Sequence, residues 1–251
     1  MKPTDTTNKG IQMMRMMMKG ALLIAITAAF AEPATLDAQE AEVTANGGWV
    51  SQYYYRGLFQ KASSANAGLD VSSAQFSAGT WAADVGDGAE IDLYAGVGFE
   101  LTDMVSASVG GTGYFYTGQF DDTYLEVNLG LAFGLISIEW SLGSYRTDPD
   151  ATPYTFIGVT AEQDGLFATI GTSGYNPDGL GDAIGDAFDK DLGFQYLEAG
   201  YAFSAMDMDF VISGIYNDAD LSGEFNTNAT PIEPEAELTL VFGVSKTFAL
   251  N

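Results

Sequence analysis

The chain contains no cysteine and no histidine among its 251 residues. Without cysteine there is no disulfide framework, so a small exported protein must be held together by another device. Without histidine, the usual general base of lipases, deacylases and proteases is missing, and an enzyme is not expected. Bases are scarce as well: nine Lys and Arg stand against 34 Asp and Glu. Nucleic acid is thereby excluded as a partner, because binding it requires a basic face that displaces counterions. Long apolar runs are also lacking. Ala21 to Ala31 spans eleven residues and no later stretch approaches a helical span, which needs about 20. The 47% hydrophobic content must therefore be spread in some other way.

What stands at the N-terminus is an export signal. Lys2, Lys9, Arg15 and Lys19 precede the apolar run, and Ala29-Phe30-Ala31 supplies a small-x-small cleavage pattern. Residues 1–31 read as a secretory signal peptide, with cleavage after Ala38 as the alternative and Met13 to Met18 offering later starts. Residues 32–44 read as a periplasmic N-terminal segment and 45–251 as one domain. Removing the leader leaves 33 acids against five bases, Arg56, Lys61, Arg146, Lys190 and Lys246, a net charge near −28. Such a balance fits solvated loops, a cation-attracting interior, or adaptation to a salty medium.

The apolar residues alternate. Leu125, Val127, Leu129, Leu131 and Phe133 share one face, against Glu126, Asn128, Gly130 and Ala132. Ile91, Leu93, Ala95, Val97, Phe99 and Leu101 repeat the pattern, as do Ile136, Ile138, Trp140 and Leu142. Near the C-terminus Leu238, Leu240, Phe242 and Val244 do the same, with Val241 breaking the rule. Period-two alternation of this length marks strands with one apolar and one polar face. In a soluble sandwich the apolar face would line a core; in a membrane barrel it meets lipid, and the polar face lines the lumen. The polar faces here hold Gly, Ser, Asn and isolated carboxylates, and segments of about 10–12 residues match a tilted membrane strand. The expected fold is an all-β transmembrane antiparallel up-and-down β-barrel of about 12 strands, within a range of roughly 10–14.

The strands are expected near 45–56, 66–72, 76–85, 89–101, 104–116, 122–133, 135–146, 153–162, 166–175, 192–203, 207–217 and 236–249. One set of connectors is short, including Thr102-Asp103, Gly134 and the hairpin dipeptide Asp164-Gly165. The other set is mostly longer and polar: 57–65, 117–121, 147–152, 176–191 and 218–235. Short turns on one side and long loops on the other is the outer-membrane arrangement, with both termini at the periplasmic end. Trp49, Tyr53 to Tyr55, Tyr114 to Tyr116, Trp140, Tyr145 and Phe248 lie toward strand ends. Part of them would form girdles at the headgroup levels, the rest packing or lumen.

Trp49-Val50-Ser51-Gln52-Tyr53-Tyr54-Tyr55-Arg56-Gly57, then Gly79-Thr80-Trp81 and Glu90-Ile91-Asp92-Leu93-Tyr94-Ala95-Gly96, resemble the TorF-type porins, an uncharacterised family of bacterial outer-membrane β-barrels. The resemblance is clearest over 45–146 and extends toward the end. It implies an outer-membrane location in a Gram-negative bacterium and a pore activity, and it brings no catalytic residues. One departure is visible. Barrels of this kind often end on an aromatic residue used in assembly, whereas this chain ends Phe248-Ala249-Leu250-Asn251, leaving Phe248 to serve from inside.

Strand parity places Asp92, Glu100, Glu126, Glu139, Glu198 and Glu237 toward the lumen, where carboxylates favour cations. With five bases in the mature chain, most of these acids are expected to stay unpaired. Arg56, ending the first strand among three tyrosines, either pairs with lumen carboxylates, constricts the pore, or snorkels at the interface. Asp178, Asp182, Asp186, Asp189 and Asp191 in one loop, and Asp218, Asp220 and Glu224 in the next, are weak calcium candidates; no other cofactor is expected. The leading function is a porin-like channel for small hydrophilic solutes, cation-preferring, in contact with outer-membrane lipid. The alternative is a non-conducting outer-membrane barrel acting as a surface-binding or structural protein; a soluble exported sandwich is the third reading.

Overall fold

The computed structural model describes residues 41–147, 149–189, 194–217 and 237–250; the expected signal peptide lies outside them. Twelve strands follow one another: β1 (Glu42–Tyr55), β2 (Leu58–Ser73), β3 (Phe76–Gly86), β4 (Gly88–Thr102), β5 (Val105–Tyr116) and β6 (Thr123–Phe133). After them come β7 (Ile136–Thr147), β8 (Asp150–Gln163), β9 (Leu166–Tyr175), β10 (Phe194–Ala205), β11 (Met208–Asn217) and β12 (Glu237–Ala249). One helix, α1 (Leu180–Ala187), stands between β9 and β10. Each strand pairs antiparallel with its neighbour in the chain, and β1 pairs with β12 to close the sheet. This is a closed up-and-down barrel of 12 antiparallel strands, the fold the alternation implies.

The two ends of the barrel differ. At the end where β1 starts and β12 finishes, every link is two residues long: 74–75, 103–104, 134–135, 164–165 and 206–207. Asp164 and Gly165 have φ of 51° and 85°, and Met206 and Asp207 have 55° and 56°. Paired left-handed residues of this kind match the twist of the flanking strands. At the other end the reading of loops is corrected in three places. Residues 57–65 are not a loop: β2 begins at Leu58, opposite Tyr55, and its ladder with β1 continues to Ser72↔Glu42. That ladder is made by the backbone, which asks for no apolar alternation. Strands β7 and β8 run into the 147–152 segment and pair as far as Thr147↔Asp150. Within 176–191 lies α1, whose Ala183 and Ala187 are buried. It leans on the outward side of β9, where a Cβ on Gly174 would stand 2.1 Å from the Ala183 carbonyl oxygen and where Thr172 donates to the Ala187 carbonyl. At the N-terminal side β1 opens at Glu42, inside the segment read as 32–44, because Thr44 already pairs with Ala249 and Asp70. The 218–235 loop lies outside the described residues.

The faces sort by chemistry. Leu69, Leu93, Val127, Leu131, Ile170 and Ile212 are exposed on the outer wall, and Leu238 and Leu240 reach 70% and 73% exposure. A soluble sandwich would bury this face; that reading is overturned. Phe76, Phe99, Phe133 and Phe248 are exposed near the two-residue-turn end. The interior holds Thr44, Ser64, Asn128, Ser141, Thr169, Ser213 and Asn217, all buried. Val241, which broke the alternation, points inward and is buried. Of the aromatics expected to divide between girdles and interior, Tyr53 and Tyr114 are buried within the barrel.

Candidate functional site

The site begins with a bend in β1. The ladder between β1 and β12 runs from Thr44↔Ala249 to Val50↔Gly243, while β1 stays paired with β2 up to Tyr55. Beyond Val50 side chains bridge the seam instead: the Phe242 amide donates to Ser51 Oγ at 2.9 Å and the Tyr54 hydroxyl to Thr239 Oγ1 at 3.1 Å. The β1–β2 register shifts between Tyr53 and Tyr54, as bulges that bend a strand do. The hairpin then turns on Arg56 and Gly57, with φ of 48° and 83°. A left-handed arginine is uncommon and is held here by what its side chain reaches.

It reaches the opposite wall. Arg56 Nη1 donates to Glu126 Oε2 at 2.9 Å, and Nη2 donates to Glu126 Oε1 at 3.0 Å, to Glu139 Oε1 at 2.6 Å and to Ser141 Oγ at 2.8 Å. Its guanidinium lies over the Phe156 ring, 4.2 Å from the centroid. Gly57 is fastened too: its carbonyl accepts from Asn217 Nδ2 at 2.6 Å. A Cβ on Gly57 would stand 2.6 Å from Tyr196 Cβ. One hairpin tip is thus tied to β6, β7, β8, β10 and β11. Charge-assisted, forked bonds of this kind are the strong ones.

Glu126 is the hub. Besides Arg56 it accepts from the Tyr114 hydroxyl at 2.7 Å, the Tyr154 hydroxyl at 2.9 Å and Asn128 Nδ2 at 2.6 Å. Asn128 in turn donates to Ser141 Oγ at 3.0 Å and accepts from Thr112 Oγ1 at 2.8 Å. Tyr55 donates to the Tyr114 hydroxyl at 2.8 Å. A second group sits beside it. The Tyr53 hydroxyl donates to buried Glu90, and the Tyr53 ring packs with Ala83 and Val85 under Val50, Trp81 and Phe120. Two residues along β4, Asp92 is wholly buried and neither carboxylate oxygen has a hydrogen-bond partner.

The residues singled out by parity therefore have different fates. Asp92, Glu126 and Glu139 come together inside the barrel, and Arg56 joins the last two, so it is not a snorkelling residue at the interface. The scarcity of bases predicts that most of the inward acids stay unpaired, and Glu126 and Glu139 are exceptions. One arginine serves both, and tyrosines serve Glu126 as well. Glu198 also faces inward, opposite Ile215. Glu100 is exposed beside the β4–β5 turn. Glu237 opens β12 opposite Asn217; its side chain lies outside the described residues. Of the calcium candidates, Asp178 and Asp182 are exposed and Asp186 accepts from Asn176 Nδ2 at 2.8 Å. Among the described residues no group of three or more acidic side chains is placed to hold a metal ion. Asp191, Asp218, Asp220 and Glu224 lie outside those residues. Sequence reasoning missed Tyr53, Glu90, Tyr114, Asn128, Tyr154 and Asn217. The available signal was parity: Glu90 shares a face with Asp92, and Asn128 shares one with Glu126.

In fold the chain is similar to the NanC porin, at TM-score 0.48 and 13% identity, over 81% of this chain and 98% of that one. It is also similar to the outer membrane protein OprD from Pseudomonas aeruginosa, at TM-score 0.39 and 11% identity, over 84% of this chain and 67% of that one. No curated protein sequence matches it. The profile of the Gcw_chp family, bacterial proteins of unknown function, matches residues 34–248, and the chain belongs to that family.

Proposed function

We propose that this protein is a porin-like channel of the bacterial outer membrane, exported behind a cleaved signal peptide, that passes small hydrophilic solutes and prefers cations. The observation that carries the reading is the sorting of faces around a closed ladder. Bulky apolar side chains cover the outside, with phenylalanines near the short-turn end, while the inside carries hydroxyls, amides, carboxylates and glycines beside a few apolar groups such as Phe156, Ile215 and Val241. Strands of 10–16 residues suffice to cross a hydrocarbon core, which takes about 9–11 tilted residues. The resemblance of residues 45–146 to the TorF-type porins supports it. The cation preference rests on charge. Glu90, Asp92, Glu126, Glu139 and Glu198 face inward, whereas of the described bases Arg56 reaches into this group and Lys61 is paired with Asp84. Catalysis finds no footing here: the chain has no histidine, and the hub carboxylate is already engaged by an arginine and two tyrosines.

A non-conducting surface or structural barrel is the second reading, and one observation favours it. Tyr53, Tyr114, Phe156 and Glu90 are fully buried, so the interior is filled at their level. Single-channel recording in a planar bilayer tests both readings. Reproducible cation-selective steps support the channel. Silence from a folded, heat-modifiable barrel supports the second reading, and recovery of the protein in water without detergent removes both.

A further inference from the structure

We infer that Arg56 sets both the bore and the ionic preference of the lumen, an assignment that rests on the channel reading above. The first half of the argument is geometric. The β1–β2 tip leaves the wall, as the end of the β1–β12 ladder at Val50 shows, and it lands on side chains of β6, β7, β8, β10 and β11. A hairpin that only extended the wall would touch β12 and β3. Nearer the short-turn end the inward positions of β4, β5 and β6 carry small groups, Gly96, Ser108, Gly110 and Gly130, with Phe167 of β9 the bulky exception. On this side of the barrel the width is therefore decided where the tip crosses. Three independent contacts keep it there: the Arg56 fork on Glu126, the Asn217 bond to the Gly57 carbonyl, and the Gly57 backbone against Tyr196.

The second half is electrostatic. The same guanidinium that fastens the tip offsets one of the two negative charges at Glu126 and Glu139, 2.9 Å and 2.6 Å away. A closed tip is therefore both narrow and weakly charged, while a released tip would be wide and would present two free carboxylates to the path. Rings of carboxylates raise the local concentration of cations, so bore and selectivity rise together. The Arg56 donors directed at Glu126, Glu139 and Ser141 leave the guanidinium poorly placed to bind a permeating anion, which argues against an anion site at this residue.

The test compares unitary conductance and reversal potential, in a potassium chloride gradient, for the wild type, Arg56→Ala and Arg56→Lys. Arg56→Ala should raise conductance several-fold and move the reversal potential toward that of potassium. Arg56→Lys keeps the charge and loses the fork, so it should widen the bore with a smaller change in reversal potential. Because the chain has no cysteine, a disulfide offers a second measurement that leaves Arg56 in place. Leu58 packs against the pair formed by Phe156 and Tyr196, so Leu58→Cys with Tyr196→Cys should conduct less when oxidised than when reduced. A folded Arg56→Ala barrel with wild-type conductance and reversal potential, or a cross-linked pair indifferent to reductant, overturns the assignment while the channel reading stands. Silence from every folded form, Arg56→Ala included, overturns the channel reading and the assignment with it.

Discussion

Arg56 and Glu126 face each other across the inside of the barrel and join through both arms of the guanidinium, at 2.9 Å and 3.0 Å. The Glu126 side chain is wholly buried and that of Arg56 is 9% exposed. Removing one partner of such a pair strands the other, at a cost of about 3–5 kcal/mol. Glu126→Gln should accordingly lower the midpoint temperature at which the folded barrel loses its fast-migrating form on unheated gels. Glu139→Gln should lower it less, because Glu139 is partly exposed and meets one guanidinium nitrogen. Equal midpoints for the two variants would show that the fork carries no special weight.

Asp92 gives the opposite expectation. A buried carboxylate whose two oxygens lack partners is a cost to the folded state, since burial of an unpaired polar group is unfavourable by about 1–3 kcal/mol or more. Asp92→Asn should raise the same midpoint, whereas Glu90→Gln, which disturbs the acceptor of Tyr53, should lower it. A less stable Asp92→Asn barrel would mean that Asp92 serves the fold through its charge.

Glycines separate a tight contact from a merely convenient residue. Gly57→Ala places a Cβ 2.6 Å from that of Tyr196 at a φ of +83°, and such crowding costs about 1–3 kcal/mol. Gly185 in α1 has nothing within 4 Å of the added Cβ, so Gly185→Ala should stabilise by about 0.5–1 kcal/mol through helix propensity. Urea titration of both variants in the same detergent checks the contrast; matching shifts would remove the tip from the list of tight contacts.

The three tryptophans report which face meets lipid. Trp49 and Trp140 are exposed on the outer wall, whereas Trp81 packs edge-on to Tyr53 inside, with ring centroids 5.8 Å apart. In bilayers of brominated phospholipid, single-tryptophan variants retaining Trp49 or Trp140 should be strongly quenched. The variant retaining Trp81 should keep its emission. Quenching of Trp81 to the same degree would contradict the inside–outside assignment.

Much of the barrel was legible because alternation is a local property. Leu125 to Phe133 shows its two faces without reference to any other strand, and the same holds for Ile91 to Leu101. Parity likewise pointed Asp92, Glu126 and Glu139 inward. What alternation does not encode is who lies opposite. The Arg56–Glu126 pair spans 70 residues, and its existence depends on a bend produced by a register shift, which leaves no compositional mark. The start of β2 was hidden for a related reason: Leu58 to Ala65 shows no period-two alternation, its large apolar residues Leu58 and Phe59 being adjacent, and its ladder is made by the backbone. Helix α1 was masked by Gly179, Gly181 and Gly185, residues that read as loop although Ala183 and Ala187 fall one helical turn apart.

The bend in β1 has a mechanical consequence. Above Gly243, among the described residues, β12 finds its ladder partners on β11 alone. The line where the two ends of the sheet meet is therefore zipped over only part of its height. Lateral tension in the bilayer should part the wall there first, from the loop side downward. During assembly the termini would close this line last, starting from Thr44 and Ala249. A strand that leaves the wall to cross the lumen thus also marks where the cylinder is weakest.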